Sequence, residues 1–161
     1  MTPPNGYAEI VATFGDPKKY LRDDGTISVL WEARMASVVF PVPLPLGWDL
    51  SVRARGARVH SFIAAETQHV FELLAKEGLW QHLKTYDGGY AWRQQRGSTS
   101  KLSMHAFGAA LDFNEATNKQ GTPGDMHPGV VQIFEACGWT WGGRFQGSRI
   151  DPMHYQFPKG A

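Results

Sequence analysis

An acid set inside an apolar strand constrains this chain more than any other feature. In Ala110-Leu111-Asp112-Phe113-Asn114, strand alternation places Ala110, Asp112 and Asn114 on one face and Leu111 and Phe113 on the other. A carboxylate among such neighbours is costly to bury unless a cation or a hydrogen-bond donor meets it. His105 precedes it across the small residues Gly108, Ala109 and Ala110, within the run SMHAFGAALDFN, Ser103 to Asn114. Near the C-terminus, Asp151-Pro152-Met153-His154 adds a second histidine behind another acid. Imidazole nitrogen and carboxylate oxygen are ligands that zinc accepts, and three of them leave a fourth position open for water. The residues thus suggest a catalytic zinc site of His105, Asp112 and His154. Asp151 is the candidate general base, with Pro152 redirecting the chain between it and His154. Spacing does not establish proximity, so ordinary surface and core roles for these residues stay open at this point.

The surrounding pattern supplies a scaffold. Ala8 to Thr13 is a short helical candidate stopped by Gly15 and Pro17, and Asp23-Asp24-Gly25 reads as a turn. Ile27 to Phe40 is strand-like, best at Ser37 to Phe40, and Pro41, Pro43 and Pro45 then force an extended, irregular path. Arg53, Arg55 and Arg58 follow, read as a solvated face rather than an anion site. The strongest helical pattern runs from Val59 to Trp80, with Phe62, Ile63, Val70, Phe71 and Leu74 at helical spacing and Gly78 as the stop. His60, His69 and His82 share no ligand spacing there and read as surface or packing residues. A second helix opens at Pro128, carries Val130, Ile133, Phe134 and Cys137 on one stripe, and ends at Gly138. His127 is its start residue. Trp139 to Gly143 reads as an aromatic strand and turn, and Met153 to Phe157 as a last strand with His154 and Gln156 on one face. The expected fold class is α+β, a small antiparallel sheet carrying the metal site and packed against two main helices.

At 161 residues the simplest organisation is one domain, residues 1–161, with 1–58 as an N-terminal extension packed on a core of 59–157. Sixteen Lys and Arg against fifteen Asp and Glu give a net charge of +1, so no bulk electrostatic case exists for a nucleic-acid partner. Cys137 is the single cysteine, which excludes an intramolecular disulfide and a Cys-rich structural zinc site, and it reads as core. The opening MTPPNGYAEI has neither the basic start nor the apolar run of a secretory signal, and Ser37 to Leu46 is too short and proline-broken for membrane insertion. Cytoplasmic synthesis without a signal peptide and a monomer are therefore expected.

Tyr86 to Ser100 is a glycine-rich, aromatic and basic stretch placed just before the acid-bearing strand, where loops often line a cleft. Arg93 and Arg96 are its candidates for stabilising a developing oxyanion. With an acidified water on the metal and a carboxylate to move its proton, such a set suits amide hydrolysis.

The run from Ser103 to Asp112 resembles the SxHxxGxAxD pattern of the zinc D-Ala-D-Ala carboxypeptidase and L-alanyl-D-glutamate peptidase family, the VanY-like and phage endolysin group. Trp141-Gly142-Gly143, followed by Asp151-Pro152-Met153-His154-Tyr155-Gln156, is similar to that family's closing segment, and the resemblance spans roughly residues 59–157. It implies His105, Asp112 and His154 as zinc ligands, Asp151 as catalytic acid and base, and Arg93 as the group polarising the scissile carbonyl. Ser103, Arg96 and Trp141 are the implied substrate contacts. Departures are the missing Tyr-Arg-Ser run, which leaves Arg93 and Arg96 as alternatives, and Tyr155 and Gln156 where phenylalanine and glutamate are commoner. The implied activity is zinc-dependent hydrolysis of peptidoglycan stem peptides at the bacterial cell wall, with an L-alanyl-D-glutamate endopeptidase acting as an endolysin as the first expectation. A D-Ala-D-Ala carboxypeptidase and a non-catalytic zinc-stabilised wall-binding module are the alternatives.

Overall fold

A computed structural model of the chain describes residues 1–93 and 101–160. The N-terminal helix α1 (Tyr7–Phe14) forms where the sequence places it and buries Ile10 and Phe14. A single turn, α2 (Val29–Glu32), follows, capped by the Ser28 hydroxyl, which accepts from the Leu30 amide at 3.1 Å. This cap takes the segment expected to begin a strand at Ile27, so the strand starts later, at Met35. Trp31 of α2 is fully buried and its indole N–H donates to the Ala106 carbonyl at 3.0 Å, tying the N-terminal residues to the loop that carries His105.

Strands β1 (Met35–Leu46) and β2 (Asp49–His60) make a long antiparallel hairpin. β1 passes through all three prolines. Proline has no N–H to give to a ladder, and the pairing with β2 accordingly breaks between Val39 and Leu44 before resuming. Arg53, Arg55 and Arg58 are exposed on β2, as a solvated face requires. β2 also takes Val59, which pairs with Ala36, and His60, which pairs with Met35, so the helix proper, α3, is confined to Ala64–Lys76. Val59 is an apolar β-branched residue that fits either periodicity; the neighbouring strand decides the matter.

The remaining strands are β3 (Tyr86–Gly88), β4 (Ala110–Phe113), β5 (Thr140–Trp141) and β6 (His154–Gln156), with α4 (Pro128–Ala136) before β5. Among the described residues, six strands form one sheet in the order β2-β1-β3-β4-β6-β5, antiparallel except for the bridge Leu46↔Tyr86 between β1 and β3. The α+β class holds, and the hairpin enlarges the sheet beyond the small one expected. Helices α3 and α4 supply Val70, Phe71, Leu74, Val130 and Phe134 to a core that also holds Phe40, Trp80, Phe113 and Tyr155. Phe134 stacks on Tyr155 with ring centroids 4.0 Å apart. Burying each such side chain stabilises the fold by about 2–3 kcal/mol, and these rings fix the apolar face of β4 and β6. The register Asp112↔His154 then puts two polar side chains side by side on the other face. No helix among the described residues is long and apolar enough to cross a membrane.

Candidate metal centre

His105 lies in the turn before β4, Asp112 in the middle of β4 and His154 at the start of β6. Each of these side chains offers a ligand atom, and the three atoms lie within 4.8 Å of one another. Asp112 sits between the histidines: its Oδ2 is 3.2 Å from His105 Nε2 and its Oδ1 is 2.9 Å from His154 Nδ1. All three residues are buried. Zinc bonds of about 2.0–2.2 Å to nitrogen and oxygen put tetrahedral ligand atoms roughly 3.3 Å apart, close to both separations.

The donor set fits a cation on a further ground. His105 Nδ1 lies 2.8 Å from the Gly89 carbonyl oxygen, which only accepts, so Nδ1 carries the proton and donates. In the neutral ring, Nε2 is then a lone pair facing the Asp112 carboxylate, buried and without a hydrogen-bond partner. Two buried lone-pair atoms at that separation need a positive charge between them. Burial alone would raise the Asp112 carboxyl, but the two imidazoles beside it, with the hydrogen bond from His154, hold it well below the usual carboxylate range. Burial alone would lower the His154 imidazole; the hydrogen bond and charge of Asp112, with Asp151 and Gln156 adding to them, raise it above the ordinary histidine value.

Local sequence explains why these groups meet. Gly108 turns the chain with φ of +68°, and a Cβ there would press on Met35 Sδ at 2.5 Å and the His60 amide nitrogen at 2.7 Å. Its carbonyl accepts from that same His60 N–H at 2.8 Å, fixing the turn to the end of β2. The Ser103 hydroxyl accepts from the His105 amide at 3.2 Å, and the Ser103 amide donates to the Arg93 carbonyl at 3.2 Å. Ser103 thus braces the ligand turn against the segment bearing Arg93. Asn114, in the left-handed region at φ of 59°, ends β4; its side chain accepts from the Lys84 and Thr85 amides and donates to the His82 carbonyl.

Asp151 sits in a turn built on Gly142. Its amide donates to the Gly142 carbonyl at 2.9 Å, and its own carbonyl accepts from the His154 amide at 3.1 Å. Its Cβ and that of His154 lie 3.2 and 3.1 Å from the point a Cβ on Gly142 would occupy, so the two side chains are neighbours. Arg93 reaches the ligand cluster, with a guanidinium nitrogen 3.8 Å from Asp112 Oδ2 and about half its side chain exposed. Arg96 lies outside the described residues. The Trp141 indole N–H donates to the Pro152 carbonyl at 2.8 Å, and the ring lines a cavity with Met126, Val131 and Arg144, so its visible role is to hold the Asp151 turn from behind.

Residues 96–157 match the family model described as D-alanyl-D-alanine carboxypeptidase. The matched stretch contains all three members of the buried cluster and Asp151, and it supports a zinc peptidase. No curated protein is matched by the chain.

The sequence pattern places Tyr86 to Ser100 along a cleft but does not include Trp48. A cavity of about 280 Å³ beside His105 and Arg93 is lined also by Trp48, Tyr86, Asp87 and Tyr90. Trp48 comes from the tip of the β1–β2 hairpin, 66% exposed, and the tip is held to β3 by the Gly47 amide, which donates to the Tyr86 carbonyl at 3.1 Å. An exposed tryptophan beside a glycine, just after a proline-rich run, was the available signal.

Proposed function

We propose that this protein is a zinc metallopeptidase that hydrolyses the peptide stems of bacterial peptidoglycan. The observation that carries the reading is the convergence of His105, Asp112 and His154 into one buried donor set inside the stretch matched by the carboxypeptidase family. Zinc held by these three side chains would supply a Lewis acid and acidify a water at the site. Asp151, beside His154, takes the proton of the attacking water and returns it to the leaving amine nitrogen. The Arg93 guanidinium, reaching the centre from the cleft side, donates to the carbonyl oxygen as it gains negative charge. Ser103 keeps His105 and Arg93 in register with each other.

For the bond cut, the L-alanyl-D-glutamate endopeptidase reading rests on the resemblance to that peptidase group. The description of the matched family favours the alternative, release of a terminal D-alanine. An endolysin role follows from the resemblance stated above and is tested by lysis of permeabilised cells.

Digestion of purified peptidoglycan with and without a chelator, read by mass analysis of the fragments, tests the proposal. New amino termini at D-Glu identify the endopeptidase and free D-Ala the carboxypeptidase; no release with added zinc refutes both. Asp151→Asn should lower kcat by roughly 10²–10⁴-fold, the usual worth of general acid–base catalysis, while zinc content is retained. Unchanged turnover in that variant would remove Asp151 from the chemistry and favour the wall-binding module.

A further inference from the structure

Metal binding by His154 requires a choice of proton position that the ring and its acidic neighbour would make wrongly. Its Nδ1 is the nitrogen 2.9 Å from Asp112 Oδ1 and is therefore the one placed to ligate. That same carboxylate attracts a proton to Nδ1, the tautomer whose lone pair, on Nε2, faces Gln156 rather than the ion. A group on the far side of the ring must hold the proton at Nε2.

Gln156 stands there, 4% exposed, two residues along β6 and on the same strand face as His154. Its Oε1 lies 3.0 Å from His154 Nε2, and its amide nitrogen donates to the Pro158 carbonyl at 3.1 Å. The second contact fixes the first. A carbonyl only accepts, so the amide nitrogen must face Pro158, the amide oxygen must face His154, and Nε2 must carry the hydrogen. We propose that Gln156 is a positioning residue of the metal centre: through the Pro158 carbonyl it locks His154 as the Nε2–H tautomer and so leaves Nδ1 as the lone pair offered to zinc. His105 is locked in the opposite sense by the Gly89 carbonyl, and the two rings thereby offer different nitrogens to one ion.

This rests on the zinc reading of the centre, and the test separates the two. Zinc affinity is measured by competition with a chromophoric chelator for the whole protein and for Gln156→Met and Gln156→Glu, with circular dichroism of the zinc-free proteins as the check on folding. Gln156→Met removes the acceptor at similar volume and should weaken zinc binding roughly 10–100-fold, as loss of a ligand-orienting partner does. Gln156→Glu keeps an acceptor toward Nε2 but gives up the donor to Pro158, so it should recover part of that loss. In ¹⁵N-labelled zinc-loaded protein the His154 Nε2–H resonance should be seen and protected from solvent, and in Gln156→Met it should exchange away. Wild-type affinity in Gln156→Met, or a Gln156→Glu as weak as Gln156→Met, overturns the tautomer lock. A wild-type protein that binds no zinc overturns the centre itself.

Discussion

Gly142 is a position where one added methyl group should damage the centre without replacing a ligand. A Cβ at Gly142 would lie well inside contact distance of the Asp151 carbonyl oxygen, 3.1 Å from His154 Cβ and 3.2 Å from Asp151 Cβ. Carbon atoms rest at about 3.5–4.0 Å, so the turn from Asp151 to His154 must move by roughly half an ångström on the His154 side and more at the carbonyl. The glycine carbonyl also accepts from the Asp151 and Phe145 amides, so Gly142 cannot simply swing away. Overpacking of this kind costs about 1–3 kcal/mol, or about 2–12 °C in Tm for a chain of this length. The chemistry is more sensitive than the fold: misplacing reacting groups by 1 Å costs roughly 10²-fold. Gly142→Ala should therefore lose tens-fold to a hundred-fold in kcat/KM on a stem peptide, with the larger share in kcat and a modest fall in zinc affinity. Stopped assays on the peptide, zinc titration and a thermal melt read all three. Full activity with an unchanged melt would refute the claim that Asp151 and His154 are held by contact with this residue.

Other outcomes follow from the same geometry. Zinc at about 100 times its Kd should stabilise the native chain by about 2.7 kcal/mol, and a chelator should abolish that gain; an unaltered melt would mean no folded-state metal site. His60 is buried with Nε2 donating to the Phe14 carbonyl at 3.0 Å and Nδ1 accepting from the Phe62 amide at 3.1 Å, and burial chiefly lowers its pKa below 6.5. The unfolded chain thus takes this proton first, so the contribution is complete above pH 6.5 and is lost as pH falls toward the folded value, at up to about 1.4 kcal/mol per pH unit. Urea melts from pH 7.5 to 5.5 should show the slope, and His60→Gln should flatten it. Trp48→Ala should raise KM about five-fold, the equivalent of about 1 kcal/mol of lost ring contact, while sparing kcat and the melt; an unchanged KM would take the hairpin tip out of substrate binding.

The centre was legible because its chemistry is carried by short segments. An acid on a four-residue strand has to find a cation, and the glycine in the preceding turn is the residue a left-handed φ demands. Strand alternation likewise put His154 and Gln156 together. The hairpin was harder to read. Pro41, Pro43 and Pro45 erase the ladder signal that marks a strand, while Val59 and His60 sit where helical periodicity continues smoothly into Ile63 and Val70. Only pairing with Met35 and Ala36, more than twenty residues earlier, assigns them to β2. Asp87 fell within the stretch read as cleft-lining, but its own place there depends on β3 pairing with β4 and on Gly47 lying against its carboxylate.

The family match, residues 96–157, contains His105, Asp112, Asp151 and His154, the candidate ligands and general base, while Arg93, proposed to polarise the scissile carbonyl, precedes it. Of the described residues lining the adjoining cleft, Trp48, Tyr86, Asp87, Tyr90 and Arg93 all precede that match. Bond-breaking groups need a fixed mutual geometry and leave a short, recurrent signature. A substrate wall needs only shape and charge suited to one ligand, and it can be built from whichever strand lies beside the site. Here that neighbour is the hairpin, anchored through Leu46 and Gly47 to β3, which pairs with the edge of β4. On the proposed reading, substitutions at Trp48 and Asp87 should change which stem is cut while leaving zinc affinity where it was.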